Sequence, residues 1–134
     1  MDNSIESKID GVWTMKGMST TFADRPPEYN QGASGQLIYD KKLRTVFAHV
    51  ARPDDKSPTG ELRFKYAGHF ELSETQGNEI THHIEWATNP KMVGKPMKRE
   101  FSLNAEGDRL SIIGPSAEYP SAKVNIEWAK LKQQ

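Results

Sequence analysis

The sequence predicts an all-β fold, an eight-stranded antiparallel up-and-down barrel with a short N-terminal helical plug. From Gly11 onward, apolar residues recur at every second position in short runs, and clusters of Gly, Pro, Asn and Asp separate these runs. This alternation is typical of strands with one buried face, and eight such strands suit closure into a barrel. The candidate strands are Val12 to Met18, Gly35 to Asp40, Thr45 to Ala51, Leu62 to Leu72, Glu79 to Thr88, Met97 to Leu103, Arg109 to Ile113 and Lys123 to Leu131.

The first ten residues predict the helix. Asn3 and Glu6 have the spacing of a capping box, and Ile5 and Ile9 fall on one helical face. We expect this segment to cover one end of the barrel. It contains no apolar run, so we expect neither a secretory signal nor a membrane span.

Length and charge limit the classes of function. The 134 residues fit a single domain, residues 1–134, and 18 Lys and Arg balance 18 Asp and Glu. Without a net field, neither nucleic acid nor a membrane is an expected partner. The chain has no Cys, and we expect a cytoplasmic protein. Whether it forms a homodimer stays open.

Within each candidate strand, the alternate residues that are mostly apolar are predicted to face the interior. His82 and Arg99 fall in these sets, whereas His83, His69 and Glu85 fall on the outer face. The sets predicted inside are Trp13, Met15 and Gly17; Phe64, Tyr66, Gly68, Phe70 and Leu72; Ile80, His82, Ile84 and Trp86; Arg99, Phe101 and Leu103; and Val124, Ile126 and Trp128.

The third candidate strand has two readings. Periodicity allows either the set with Val46, Ala48 and Val50 or the set with Phe47 and His49 to face inward.

Two connections carry prolines and are predicted to be rim loops at one end of the barrel that do not extend the ladder. They run from Ser19 to Ala33 and from Asn89 to Pro96.

Several short segments of the sequence form a distinctive set of motifs. They are Gly11-Val12-Trp13, Gly35 to Tyr39, Tyr66 to Phe70, Thr81 to Glu85, Asn89-Pro90, Val93-Gly94, Arg99 and Gly107 to Leu110. These motifs resemble the small lipocalin-like domain proteins of the calycin superfamily. The resemblance implies a calycin barrel with a pocket for a hydrophobic small molecule, and it favours Phe47 and His49 as inward residues. It departs at the last strand, where Lys130 stands near the position of an Arg that crosses the first-strand Trp.

The polar residues predicted inside point to acid-base chemistry. A histidine can shuttle protons near neutral pH, and an arginine can stabilise an enolate or carboxylate. We therefore expect a cofactor-independent isomerase or cyclase acting on a small hydrophobic, oxygenated molecule. The candidate catalytic residues are His82, Arg99, Tyr66 and His49, and the candidate substrate-binding residues are Tyr39, Phe47, Phe64, Trp86 and Phe101.

Two alternatives remain at this stage. The chain could be a non-catalytic carrier in which the same groups only hydrogen-bond a ligand. Alternatively, His82 and Arg99 could simply satisfy each other, a tyrosine and backbone carbonyls inside a small core. No metal site or cofactor is expected, because adjacent His82 and His83 diverge on a strand and no phosphate-binding loop is present. The last strand also lacks a histidine for haem.

Overall fold

A computed structural model describes residues 4–75, 77–116 and 121–131. The strands form one antiparallel sheet in the order β2-β1-β3-β4-β5-β6-β7-β8-β9, and β1 also pairs with β9, which closes the barrel. The predicted up-and-down barrel is confirmed. The elements are α1 (Ile5–Ile9), β1 (Gly11–Thr21), β2 (Glu28–Tyr29), β3 (Ser34–Asp40), β4 (Thr45–Pro53), β5 (Glu61–Leu72), β6 (Glu79–Ala87), a 3₁₀ turn (Pro90–Met92), β7 (Pro96–Leu103), β8 (Arg109–Pro115) and β9 (Lys123–Lys130).

The first proline-bearing connection is shorter than predicted. Strand β1 continues to Thr21, and the two-residue strand β2 pairs with it through Ser19 and Thr20. Pro26 and Pro27 lie between the two strands, where the ladder needs no backbone N–H. The prediction that this segment could not extend the ladder is therefore wrong for Ser19 to Thr21 and for Glu28–Tyr29. It is also wrong for Pro96 of the second connection, which begins β7 opposite His83.

The N-terminal helix is present and covers one end of the barrel. Ser4 is its N-cap and accepts from the backbone N–H of Ser7, while the predicted capping residue Asn3 lies outside the described residues. Ile9, 1% exposed, joins the core, and Trp13 Nε1 donates to the Ile9 carbonyl oxygen at 2.8 Å. Within the described segments, no helix is long and apolar enough to cross a membrane.

Lys130 lies beside the first-strand tryptophan, as the family resemblance implied. It lies opposite Trp13 in the β1–β9 ladder, with Nζ 5.4 Å from the ring centroid. The same ammonium group donates to the Lys8 carbonyl oxygen at 3.0 Å. One lysine thus covers the buried indole and ties α1 to the last strand.

Two β-bulges change the side-chain alternation. The first lies between Met15 and Gly17 in β1 and brings Met18 and Thr20 inward, so the inward orientation predicted for Gly17 is wrong. The second lies in β6, where Ala67 pairs with Trp86 but Gly68 pairs with Ile84, so that Glu85 is the extra residue. A bulge adds one residue to one strand and reverses the faces beyond it.

The second bulge corrects the prediction for Trp86. Glu85 and Trp86 both face outward, and Trp86 is 53% exposed. Gly68 makes the close approach of the strands possible, because a Cβ there would lie 1.8 Å from the His83 carbonyl oxygen. The inward orientation expected for Trp86 is therefore wrong.

Strand β4 resolves the remaining ambiguity in favour of the aliphatic set. Val46 and Ala48 are buried, and Val50 borders the barrel cavity. Phe47 and His49 consequently face outward, and His49 Nε2 lies 3.1 Å from Nη1 of exposed Arg63. The inward orientation that the family resemblance favoured for Phe47 and His49 is wrong, because the apolar partners on β3 and β5 pack against the other face.

Candidate functional site

The barrel contains a cavity of about 270 Å³ at the end opposite α1. It lies where β1, β4 and β8 end and where β5, β7 and β9 begin. Most of its wall is apolar, as is usual for small-molecule sites. The apolar wall includes Met18, Leu37, Val50, Phe64, Met97 and Ile126.

Both proline-bearing segments border this cavity. Thr20, Glu28 and Asn30 come from the first, and Met92 of the 3₁₀ turn comes from the second. The prediction that the two lie at the same end of the barrel is confirmed. They form a polar and sulfur-containing rim above an apolar interior.

His82 connects two tyrosines deep in the barrel. It is 2% exposed; its Nε2 lies 2.7 Å from the Tyr39 hydroxyl and its Nδ1 lies 2.7 Å from the Tyr66 hydroxyl. Burial, then the charge of Arg99, then His83 lower the pKa of His82 to about 3. His82 is therefore neutral at neutral pH, with one ring nitrogen protonated and the other bare.

The same burial keeps both tyrosines in the neutral form. It raises the pKa of Tyr66 to about 12, while the charge of Arg99 acts in the opposite direction. The pKa of Tyr39 is raised well above its usual value by burial and by Tyr66, again against Arg99. Three neutral groups thus form a hydrogen-bonded chain, Tyr39–His82–Tyr66, of which Tyr66 and His82 border the cavity.

Arg99 brings a charge to this region. Its side chain packs over Gly114 of β8, where a Cβ would come within 2.3 Å of Arg99 Cδ. The β7–β8 ladder ends at the Glu100–Ile113 pair, so Arg99 and Gly114 lie just beyond the paired part of the two strands. Burial lowers the pKa of Arg99, and the two tyrosines oppose this shift.

Arg99 has few partners to offset its burial. Its Nη1 donates to the Lys98 carbonyl oxygen at 2.9 Å, and no carboxylate of the described segments forms an ion pair with it. Both His82 nitrogens bind tyrosines, so His82 and Arg99 do not pair with each other. The tyrosine and backbone carbonyl partners that the structural alternative expected are nevertheless present. Arg99 is only partly buried, and its guanidinium can therefore interact with an anionic or carbonyl oxygen in the cavity.

The structure brings four of the candidate residues to the cavity: Tyr66, His82, Arg99 and Phe64. Tyr39 lies behind His82, and Phe101 is buried in the core towards the closed end. The outward-facing residues Phe47, His49 and Trp86 are not part of the cavity wall. A catalytic or substrate-binding role for those three has no support from their positions.

Sequence reasoning missed several residues of the wall. Arg52 borders the cavity, and extending the alternation of Ala48 and Val50 by one step would have located it. Glu28 was missed because it belongs to a segment interpreted as a loop. Met92 and Met97 carried no pattern beyond ordinary apolar spacing.

On the outer face of β5 and β6, the other two histidines pair with carboxylates. His69 Nδ1 lies 2.6 Å from Glu85 Oε1, and His83 Nε2 lies 2.6 Å from Glu71 Oε1, with the two imidazole rings stacked at 4.7 Å. The predicted outward orientation of His69, His83 and Glu85 is confirmed. No group of three or more metal-ligating residues that could hold an ion occurs in the described parts of the chain.

Comparisons with known proteins agree with the barrel fold. Similar solved structures include a redesigned beta barrel, with a TM-score of 0.51, 12% identity and 95% of each chain covered. An odorant binding protein matches with a TM-score of 0.50 and 11% identity, over 100% of this chain and 78% of that one. These similarities concern the fold alone. No curated protein matches the chain.

The family comparison covers most of the sequence. The lipocalin-like domain family matches residues 39–130, a segment that includes Tyr39, Tyr66, His82 and Arg99. The fold and the apolar cavity are consistent with binding of a small hydrophobic ligand. With more than half of its residues matched, the chain belongs to the lipocalin-like domain family.

Proposed function

We propose that this protein is a cofactor-independent isomerase or cyclase that acts on a small hydrophobic molecule bearing an oxygen function. The observation that carries the proposal is the Tyr39–His82–Tyr66 chain, which ends in an apolar cavity bordered by Arg99. An apolar wall holds the carbon skeleton, and the polar groups on one side act on its oxygen.

The chemistry of the proposal needs no external reactant. An isomerisation or cyclisation rearranges bonds within one molecule, so a proton that leaves one atom of the ligand returns to another atom of the same ligand. When the electrons of the breaking bond shift toward a carbonyl group, negative charge develops on its oxygen in an enolate-like transition state. A hydrogen bond from Tyr66 and the charge of Arg99 would stabilise that oxygen beside a largely apolar wall. His82 acts through Tyr66, because tyrosine hydroxyls occupy both of its ring nitrogens.

The cavity limits the size of the ligand. An engineered cavity of about 150 Å³ holds one benzene molecule, and the cavity here measures about 270 Å³. The site would therefore take a molecule of roughly ten to fifteen non-hydrogen atoms. A cytoplasmic protein of this kind would meet such molecules as metabolic intermediates.

A carrier is the second candidate, and one observation favours it. His82 is neutral, its pKa is lowered to about 3, and both nitrogens are bonded. A group in this state does not change charge near neutral pH, so the chain could hold a ligand without reacting with it. The odorant binding protein to which the fold is similar is named for binding rather than for catalysis.

Incubation with a metabolite extract of the source organism separates the two candidates. An isomerase or cyclase should deplete one compound and form another of identical mass, which chromatography coupled to mass spectrometry detects. Arg99→Met should slow this conversion by about 10²- to 10³-fold, the usual effect of removing an electrostatic donor. A compound that the protein retains unchanged on ultrafiltration, without any such conversion, would identify a carrier.

Two glycine variants provide a matched control. Gly114→Ala places a methyl group against the Arg99 side chain, whereas Gly17→Ala places one where no atom lies within 4 Å. Only Gly114→Ala should reduce the conversion. Equal activity in the two variants would contradict the role assigned to Arg99.

A further inference from the structure

The direction of the hydrogen bonds in the Tyr39–His82–Tyr66 chain follows from the burial of Tyr39. Tyr39 is 1% exposed, and its hydroxyl has one hydrogen-bond partner among the described residues, His82 Nε2. If Nε2 carried the proton and donated it, the Tyr39 O–H would be buried without an acceptor. Leaving a buried donor unsatisfied is costly, whereas donating to a bare Nε2 satisfies it.

A bare Nε2 on His82 determines where the other protons of the Tyr39–His82–Tyr66 chain lie. With Nε2 bare, neutral His82 carries its proton on Nδ1 and donates it to the Tyr66 oxygen at 2.7 Å. The Tyr66 O–H then has no acceptor within the chain of three residues. Because Tyr66 borders the cavity, its hydroxyl can donate only into that space.

Arg99 is a second hydrogen-bond donor at the cavity. A guanidinium has donors and no acceptor, and Arg99 borders the same cavity as Tyr66. Its charge acts directly on the Tyr66 hydroxyl. A ligand oxygen placed here therefore meets donors from both residues, which suits an oxygen without a hydrogen of its own.

We infer that Tyr39 and His82 fix Tyr66 as a hydrogen-bond donor, so that the site selects ligands carrying a ketone or carboxylate oxygen. In this arrangement Tyr66 contacts the ligand, and Tyr39 is a positioning residue that acts through His82. The ligand part of this inference rests on the proposed function, since it requires a molecule in the cavity. The tautomer part concerns the free protein.

Nitrogen-15 NMR of the labelled free protein tests the tautomer. The chain has four histidines, and the signals of His82 are those that disappear in His82→Gln. We expect the shifts of a protonated Nδ1 and a bare Nε2 at neutral pH. A protonated Nε2, or an imidazolium, would overturn the inference whether or not the protein is an enzyme.

Binding of two matched probes tests the selectivity. The probes are β-naphthyl methyl ketone and its isopropenyl analogue, in which a methylene group replaces the carbonyl oxygen. The wild type should prefer the ketone, and Tyr66→Phe should lower this preference by about threefold to tenfold, the effect of one hydrogen bond. An unchanged preference in Tyr66→Phe would refute Tyr66 as the donor.

Tyr39→Phe tests the positioning role, with Tyr29→Phe as its control because Tyr29 is 74% exposed. Without Tyr39, Tyr66 can turn its O–H toward Nδ1, so both the ketone preference and the tautomer signature should weaken. Tyr29→Phe should leave both unchanged. Retention of both signatures in Tyr39→Phe would refute the role of Tyr39. If neither probe bound, the proposed function would be weakened and the NMR result would still decide the tautomer.

Discussion

Each end of the barrel combines aromatic and positively charged side chains, but the hydrogen-bond partners of these side chains differ between the two ends. At the end covered by α1, an aromatic and aliphatic core is closely packed, and Trp13 Nε1 and Lys130 both have carbonyl partners. At the other end, Tyr66 and Arg99 border an apolar cavity with few partners of their own. The polar groups of Trp13 and Lys130 are thus satisfied within the protein, whereas those of Tyr66 and Arg99 are available to a ligand in the cavity.

The largest expected effect is on the free energy of unfolding, and it is tested with two phenylalanines of β5. Phe70 is 1% exposed and contacts Tyr39 edge-on at 5.0 Å in the packed half, whereas Phe64 is half-buried in the cavity wall. Phe70→Ala should lower the free energy of unfolding by about 3 to 5 kcal/mol. Phe64→Ala should cost only about 1 kcal/mol, because it enlarges an existing cavity.

Denaturant unfolding of both variants measures the difference. Phe64→Ala should also weaken binding of an apolar probe, since it removes part of the wall, whereas the effect of Phe70→Ala should be on stability alone. Equal losses of stability would show that the two ends are packed alike, contrary to the comparison.

The pH dependence of stability is the second prediction. The pKa of His82 is lowered to about 3 by burial, Arg99 and His83, whereas in the unfolded chain it is close to the ordinary value of about 6.5. The unfolded state therefore binds the proton first as the pH falls below about 6.5. The free energy of unfolding should decrease by about 1.4 kcal/mol per pH unit from there toward pH 3.

His82→Gln isolates this contribution. Between about pH 6.5 and 5, above the range in which ordinary carboxyl groups titrate, the variant should show a shallower slope than the wild type. Thermal or denaturant unfolding at several pH values gives both slopes. Parallel curves would mean that His82 is accessible to protons in the folded state.

The smallest expected effect on stability comes from replacing Lys130, which tests the polar contacts at the end covered by α1. Lys130→Met keeps the aliphatic part of the side chain but removes the ammonium group that lies over Trp13 and donates to Lys8. The expected loss is about 0.5 to 1 kcal/mol, the range for an exposed cation–π contact. Lys130→Arg should recover this loss, and a loss in both variants would indicate a packing role instead.

The sequence predicted most of the fold from local patterns. The eight predicted strands differ from the observed ones by no more than three residues at either end, because alternation and turn residues are local properties. The inward positions of Tyr66 and His82 followed from the same alternation. The one additional strand, β2, has two residues and is too short for any period to show.

The candidate site was predicted only where the alternation is unbroken. Trp86 and Gly17 lie beyond bulges, which depend on how two strands meet and leave no mark in either strand's own period. His49 was misplaced because both faces of β4 are partly apolar, so that burial against β3 and β5 decided its orientation.

The sequence alone determined that this chain forms a closed barrel, that a helix precedes it and that a histidine and a tyrosine lie inside, since these follow from the spacing of apolar residues along each strand. Tertiary structure alone decided that His82 joins Tyr39 to Tyr66 and that Arg99 packs over Gly114. The register between strands brings these side chains together, and register depends on pairing across the sheet rather than on any one strand.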